Sequence, residues 1–514
     1  MYKNGKILIG KNEDKEVNIL LNMANRHGLI TGATGTGKTV TMKVMAESFS
    51  SAGVPVFMVD VKGDIAGTAY IGEENENVKS RVEKMKLEDF KFAKFPAVFL
   101  DVYGESGHPI RTTPDAVGHR LLSKMLGLSE VQDSVLAIIF KIAHDEGKTI
   151  DNLDDLESML VYVNNNRNEY VLKYGNIASQ SITTIQRNVI ELHEELKGYF
   201  FNKPIFDIKD FRGVDVDTGY GRINILDAQK LFQHPDSYVA MVLWLLNSLY
   251  ENMPEVGDLD KPKLVFFFDE AHLLFSDMPK AIVDHVIKVV KLIRSKGVGV
   301  YFVSQNPTDI PNEILSQLGC KIQHALHAYT PLEQKGIKAA AESFRVNPAF
   351  DTAEAIQNLG TGEALVSVLD EKGEPSMVEK VKILPPQSRM GTITEEERRS
   401  IINNSPLADK YDEVVDDESA KEANDVVFKE QAEAKAEAER IKEEEKQAKE
   451  EAKIKKEEER IAAKEQREKE KAEREAERAK KNSVGYKLGK KVANKTADKL
   501  INKGLNSIFK GLFK

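Results

Sequence analysis

Gly32-Ala-Thr-Gly-Thr-Gly-Lys-Thr39 satisfies the pattern G-x-x-x-x-G-K-[ST] at every fixed position, and its flanks are those the pattern requires. His27-Gly-Leu-Ile-Thr31, just before it, is a short apolar run suited to a buried strand. Val40, Val44, Met45 and Phe49, just after it, recur at helical spacing. A loop between strand and helix with glycines at 32, 35 and 37 can curl so that successive N–H groups face phosphate oxygens, and the helix N-terminus adds partial positive charge. The residues expected to touch a nucleoside triphosphate are therefore Gly32, Ala33, Thr34, Gly35, Thr36, Gly37, Lys38, Thr39 and Val40. Lys38 would reach the β- and γ-phosphates, and the Thr39 hydroxyl would ligate Mg²⁺.

Working outward, strand and helix signals alternate from Gly28 onward, which predicts an α/β fold with a mainly parallel sheet covered by helices on both faces. The expected strands are 27–31, 55–60, 97–102, 222–226, 263–268, 299–304 and 321–327, with 363–369 and 377–383 as an antiparallel edge. Short extended runs in residues 1–25 suggest a small N-terminal β element. The ATPase core is expected over 26–390, interrupted by a helical insertion at about 114–198 in which Val131, Val135, Ile138, Ile139 and Ile142 form one stripe.

Beyond Pro385-Pro386 the character changes. Residues 391–417 are polar and acidic, as in a linker. Residues 418–481 are almost entirely Glu, Lys, Arg, Ala and Gln, with acid-first pairs such as Glu445/Lys449 and Glu477/Lys481. Ile441, Ile454 and Ile461 are too sparse for a sustained seam, so a solvated single helix of roughly 90 Å is favoured over a strong coiled coil. In 482–514 lysines outnumber a single aspartate, Asp498, and Leu500, Ile501, Leu505, Ile508 and Phe509 recur along a basic amphipathic segment. Such a segment suits an anionic membrane surface, a protein partner or nucleic acid, and docking on its own protein is an equal alternative.

At 514 residues with 30% charged side chains and a net charge of −9, the chain is long enough for a large core and lacks a generally basic surface. The single cysteine, Cys320, excludes an internal disulfide and fits a reducing compartment. The longest apolar run, Tyr238 to Leu249, is too short to span a bilayer. A cytoplasmic location is expected, with peripheral membrane association through 482–514 as a further expectation.

The second half of the site is Lys263-Leu-Val-Phe-Phe-Phe-Asp-Glu-Ala-His272, a fully apolar strand ending in an acidic pair. Asp269 would hold the hydration shell of Mg²⁺, and Glu270 would polarise the attacking water. The next strand ends in Ser304-Gln305, whose amide can contact a γ-phosphate. Arg294 closes the intervening helix. There it is either an ordinary partner of the helix dipole or an arginine offered to a neighbouring subunit, and the residues alone leave both open.

Gly32–Thr39, Val59-Asp-Val-Lys-Gly-Asp64, Phe268-Asp-Glu-Ala-His272, Arg294-Ser-Lys-Gly-Val-Gly299 and Val303-Ser-Gln-Asn-Pro-Thr-Asp-Ile-Pro311, in this order, resemble the HerA-like branch of the HerA/FtsK ATPases. The resemblance covers about Gly28 to Leu384 and not the tail. It implies a RecA-like P-loop NTPase core with an additional strand, using ATP and Mg²⁺ and assembling as a ring, usually a hexamer, that moves DNA through its channel. It also implies that Arg294 acts in trans and that Gln305 reports the γ-phosphate. The family's long N-terminal β-barrel is represented here by only about 25 residues. An ATP-switched assembly or membrane-associated scaffold is the alternative reading. A DEAH-type helicase is weakly supported, because that class needs two RecA-like cores and the pattern shows one.

Overall fold

In a computed structural model, residues 1–13, 15–275, 280–328, 330–415 and 417–482 are described. Their strands are β1 (Tyr2–Lys3), β2 (Lys6–Asn12), β3 (Lys15–Leu20), β4 (Gly28–Thr31), β5 (Val56–Asp60), β6 (Ala97–Asp101), β7 (His108–Pro109), β8 (Ile223–Asp227), β9 (Leu264–Phe268), β10 (Val298–Ser304), β11 (Cys320–Gln323), β12 (Glu363–Ser367) and β13 (Glu379–Ile383). They form one sheet in the order β1-β2-β13-β12-β11-β4-β10-β9-β5-β8-β6-β7, with β3 paired to β2. The run from β11 to β7 is parallel. β12, β13 and β2 continue it antiparallel. The N-terminal hairpin is therefore part of the same sheet.

The central strands are continuously apolar because both faces are covered, and successive side chains go to opposite cores. Leu29, Phe57, Val59, Phe266, Phe268, Val300 and Phe302 face one core, shared with the insertion and the helices Pro235–Asn252 and Lys280–Ile293. Ile30, Val56, Met58, Val265, Phe267, Tyr301 and Val303 face the other, shared with the helix Lys38–Ser51 and the N-terminal strands. Burying each of these phenylalanines contributes about 2–3 kcal/mol relative to exposure. The apolar run at Tyr238 lies in a buried helix, and no described helix is long and apolar enough to cross a membrane.

The insertion is helical, with helices Pro114–Met125, Glu130–Asp145, Leu153–Asn165, Arg167–Tyr174 and Ser179–Leu196. Val135, Ile139 and Ile142 of its stripe are buried and Ile138 is partly buried, whereas Val131 is exposed because it lies in the first turn, off the packed face.

The polar stretch 391–417, read as a linker, packs on the core. The helix Glu395–Asn403 sets Arg398 over the ring of Phe99. Further on, the buried Arg111 guanidinium donates to the carbonyls of Tyr411, Asp412 and Glu413. Tyr411 stacks on Phe206 with ring centroids 4.7 Å apart. Composition hid this because the chain is held through its backbone carbonyls, which any sequence supplies. The compact unit ends at Asp425. The helix Ala420–Asn482 begins within it, where Asp155 accepts from the Ser419 hydroxyl and the Lys421 N–H. From Val426 onward the helix forms a separate unit, with exposed Ile441, Ile454 and Ile461 and i,i+4 pairs Glu445–Lys449 and Glu477–Lys481. Residues 483–514 lie outside the described residues, and so does the basic amphipathic reading placed on them.

Candidate nucleotide-binding and hydrolysis site

β4 delivers the loop 32–37 to the carboxyl edge of the sheet, and the helix Lys38–Ser51 carries the chain back across one face. Gly32, Gly35 and Gly37 all have positive φ, at 153°, 79° and 115°. The loop is tied at both ends. The Ala33 N–H donates to Ala325 O (2.9 Å), and the Gly362 N–H donates to Thr36 O (2.9 Å). Thr36 closes the turn by donating its hydroxyl to Ala33 O at 2.7 Å. Thr34 and Gly35 are exposed at the tip, and Thr39 and Val40 are half-buried in the first helical turn.

Lys38 is folded over its own loop, with Nζ donating to Gly32 O (2.6 Å) and Ala33 O (3.1 Å). Burial lowers its pKa, with Glu270 and Asp269 opposing. An ammonium held at the centre of a ring of loop atoms, facing two carboxylates, is positioned to exchange those carbonyls for phosphate oxygens.

β10 separates β4 from β9, and the registers align the three strand ends: Ser304 pairs with Thr31, and Phe302 with Phe268. Asp269 and Glu270 follow directly after β9, and both are buried. Asp269 accepts from the Glu270 N–H (2.9 Å), and its backbone carbonyl accepts from the Tyr238 hydroxyl (2.9 Å). Glu270 has left-handed backbone, φ 49°. Such strain in a non-glycine residue costs on the order of 1 kcal/mol and marks sites where direction matters. The turn directs its carboxylate among three groups: Lys62 at 3.7 Å on one oxygen, with Gln305 Nε2 at 3.4 Å and His272 Nδ1 at 3.3 Å on the other.

Lys62 was not singled out from sequence. It follows β5 in the Val59–Asp64 stretch, where the Asp60 carboxylate accepts from the N–H groups of Lys62, Gly63 and Ile65 and shapes the turn that presents it. His324 was missed as well. Its Nδ1–H donates to Glu363 O (2.9 Å), which leaves Nε2 to accept from the Thr41 hydroxyl (2.9 Å). Burial pushes its pKa to about 4, so it stays neutral and braces the loop from below. A histidine just beyond a short strand gives no signal by itself; the contacts span 39 and 283 residues.

Two outcomes test this geometry. A Cβ at position 32 would stand 2.5 Å from His324 Cβ and 2.9 Å from Thr36 Oγ1. Gly32→Ala is therefore expected to lower stability by about 2 kcal/mol and to weaken nucleotide binding more than tenfold, measured by thermal melting and titration. For Asp269, burial and the adjacent Glu270 raise the pKa from 3.8 to about 6. Its buried charge is thus a cost that is absent below pH 3.8, grows up to about pH 6, and is constant above. Asp269→Asn is expected to melt no higher than the native chain at the acid end and a few degrees higher above pH 6, a gain of about 1–3 kcal/mol.

Arg294 is far from this cluster. It precedes β10 at the amino edge of the sheet, so the strand puts roughly 20 Å between it and Gln305. It lines a cavity of 660 Å³ with Arg26, Lys291, Lys321 and Arg345. Burial and the like charge of Arg26 lower its pKa. The structure thus brings the phosphate loop, Asp269, Glu270 and Gln305 together and leaves Arg294 apart.

Mg²⁺ fits the donor set. A threonine hydroxyl and a carboxylate are hard oxygen donors, and this ion keeps several waters and takes substrate phosphate oxygens for the rest. No cluster of three metal-ligating side chains exists among the described residues, so the protein alone makes no cage.

Known proteins resemble the chain as follows. The DNA double-strand break repair helicase HerA of Sulfurisphaera tokodaii is 27% identical over 380 residues, 71% of this chain and 67% of that one. The protein of the same description from Saccharolobus solfataricus is 23% identical over 367 residues, 70% and 64% of the two chains. The chain thus spans about two thirds of the length of the curated relatives it matches. The solved structure of the bacterial conjugative coupling protein TrwBdeltaN70, in an unbound form, aligns with a TM-score of 0.50 and 15% identity over 76% of this chain and 92% of that one, a likeness of fold. Residues 6–511 match the family described as Helicase HerA-like C-terminal, and with the phosphate loop and acidic strand end in place, this chain belongs to that family.

Proposed function

We propose that the protein is an ATP-hydrolysing, ring-forming motor that couples hydrolysis to movement on DNA. The observation that carries the hydrolytic part is the placement of Glu270 beside Gln305 and opposite Lys38, at the aligned ends of three adjacent parallel strands. The loop N–H groups and Lys38 bind the phosphates, and Glu270 takes the proton from the attacking water. Gln305, within reach of the same carboxylate, orients that water and meets the γ-phosphate. Thr39 and Asp269 would hold Mg²⁺, which supplies charge neutralisation on the phosphate oxygens.

The position of Arg294 supports the ring. At the opposite edge of the sheet it cannot reach its own site, but a neighbouring copy can present it there, flanked by other cations that favour an anion. DNA is the cargo that the relatives' descriptions as repair helicases support.

The test is to measure size by sedimentation with and without ATP and duplex DNA, together with phosphate release. A nucleotide-dependent ring and DNA-stimulated turnover are expected, and a monomer under every condition overturns the motor reading. Binding of an anionic membrane or protein partner through 482–514 rests on the basic amphipathic pattern. It is tested by whether a chain ending at Lys481 loses binding to anionic liposomes.

A further inference from the structure

Both oxygens of the Glu270 carboxylate are engaged. Oε1 faces the Lys62 ammonium at 3.7 Å, while Oε2 has Gln305 Nε2 at 3.4 Å and His272 Nδ1 at 3.3 Å. A general base needs a lone pair aimed at water, and a cation on the same oxygen competes with that water. We propose that Lys62 is a positioning residue, which holds Glu270 off its water and releases it when a γ-phosphate draws the ammonium away. The proposal rests on reading Glu270 as the base of ATP hydrolysis.

Of the three neighbours, Lys62 is the one built to move. Gln305 follows directly on the buried strand β10, and His272 lies two residues along the same turn as Glu270. The Lys62 side chain is 47% exposed and carries its charge on a flexible four-carbon stem. Its backbone, in contrast, is pinned. The Asp60 carboxylate accepts from the N–H groups of Lys62 (3.3 Å), Gly63 (2.7 Å) and Ile65 (3.2 Å). Gly63 has φ 77°, and a Cβ there would stand 2.9 Å from Gln229 Nε2, so glycine is what lets this turn seat against its neighbour. A fixed root with a free arm lets the ammonium change partners while the turn stays where it is.

The second partner is within range. Burial chiefly lowers the Lys38 pKa, and the charge of Lys62 adds to that shift. At Asp269, pushed up to about 6 by burial and Glu270, the same charge pulls the other way. Lys62 therefore lies in the field of the residues read as phosphate and Mg²⁺ ligands. A γ-phosphate seated against Lys38 adds negative charge at a place that a diphosphate leaves empty. Only a ligand that interacts differently with two arrangements shifts the balance between them. ATP thus opens the Lys62–Glu270 pair and ADP leaves it closed, which ties activation of water to the presence of the bond to be cut.

Lys62→Met and Lys62→Arg, compared with the native full chain, decide the matter through phosphate release at saturating ATP and calorimetric titration with ADP. Methionine keeps the stem and removes the charge, so no ATP complex is held silent. Turnover in Lys62→Met is expected to rise at least about threefold, as for a native competent fraction of about one third, with ADP affinity within about threefold of native. A loosened fold would lower turnover, so a merely structural role does not give this rise. Lys62→Arg keeps the cation and should return turnover to near the native value. Native or lower turnover in Lys62→Met overturns the proposal, and so does a Lys62→Arg chain as fast as Lys62→Met. If Glu270→Gln in the otherwise native chain leaves turnover unchanged, the reading of Glu270 as the base is what fails.

Discussion

Glu270→Gln is expected to bind ATP as the native protein does and to lose turnover by about 10²–10⁴-fold, the usual contribution of a positioned general base. The substitution keeps the shape of the side chain and its hydrogen bond with Gln305, so the left-handed turn and the strand ends are undisturbed. What it removes is the proton acceptor. Glutamine also abolishes the charge that faces Lys62 at 3.7 Å. That pair is partly exposed on the lysine side, so its contribution to stability is small, and the melting temperature should move little. Steady-state phosphate release and a nucleotide titration on the same preparation decide the matter. Native turnover would remove Glu270 from catalysis.

The second large effect concerns Arg294. Alone, Arg294→Ala should cut turnover at least tenfold; arginines acting in trans elsewhere contribute far more. Lys38→Ala should abolish it. Mixed in equal amounts, the two variants should turn over faster than the average of each alone, because an Arg294→Ala subunit retains its phosphate loop and a Lys38→Ala neighbour supplies the arginine. With random placement in a closed ring, about a quarter of the interfaces carry both intact parts. No recovery, under conditions where rings form, would return Arg294 to the role of a cation at a helix end.

The legible parts of the site were those encoded by neighbours in sequence. The phosphate loop announces itself because glycines, lysine and threonine must be contiguous. The Asp269-Glu270 pair does so because a strand apolar on both faces has to end before two carboxylates can reach water. The alternation of strands and helices gave a mainly parallel sheet with an antiparallel edge, and the structure has that architecture.

Other features depend on contacts between distant segments. Lys62 meets Glu270 across more than 200 residues, and Glu47 holds the backbone of Gln387 and Ser388. A buried ion on an otherwise ordinary helix leaves no periodic trace. The packing of the stretch 391–417 left no mark in its own composition, because its anchors, such as Arg111 and Phe206, sit two to three hundred residues upstream. The placement of β10 between β4 and β9 likewise follows from pairing, not from order along the chain.

That placement has a mechanical meaning. β10 is seven residues long and buried throughout, with Arg294 four residues before its first residue and Gln305 just after its last. In the ring proposed above, one end of this strand would touch the site of its own subunit while the other would serve the next. A buried parallel strand hydrogen-bonded on both sides is among the stiffest parts of a domain. With Gln305 and Arg294 in the roles proposed, it would act as a push-rod: a shift at the γ-phosphate end would displace the arginine end with little lost in between, and neighbouring sites would fire in order.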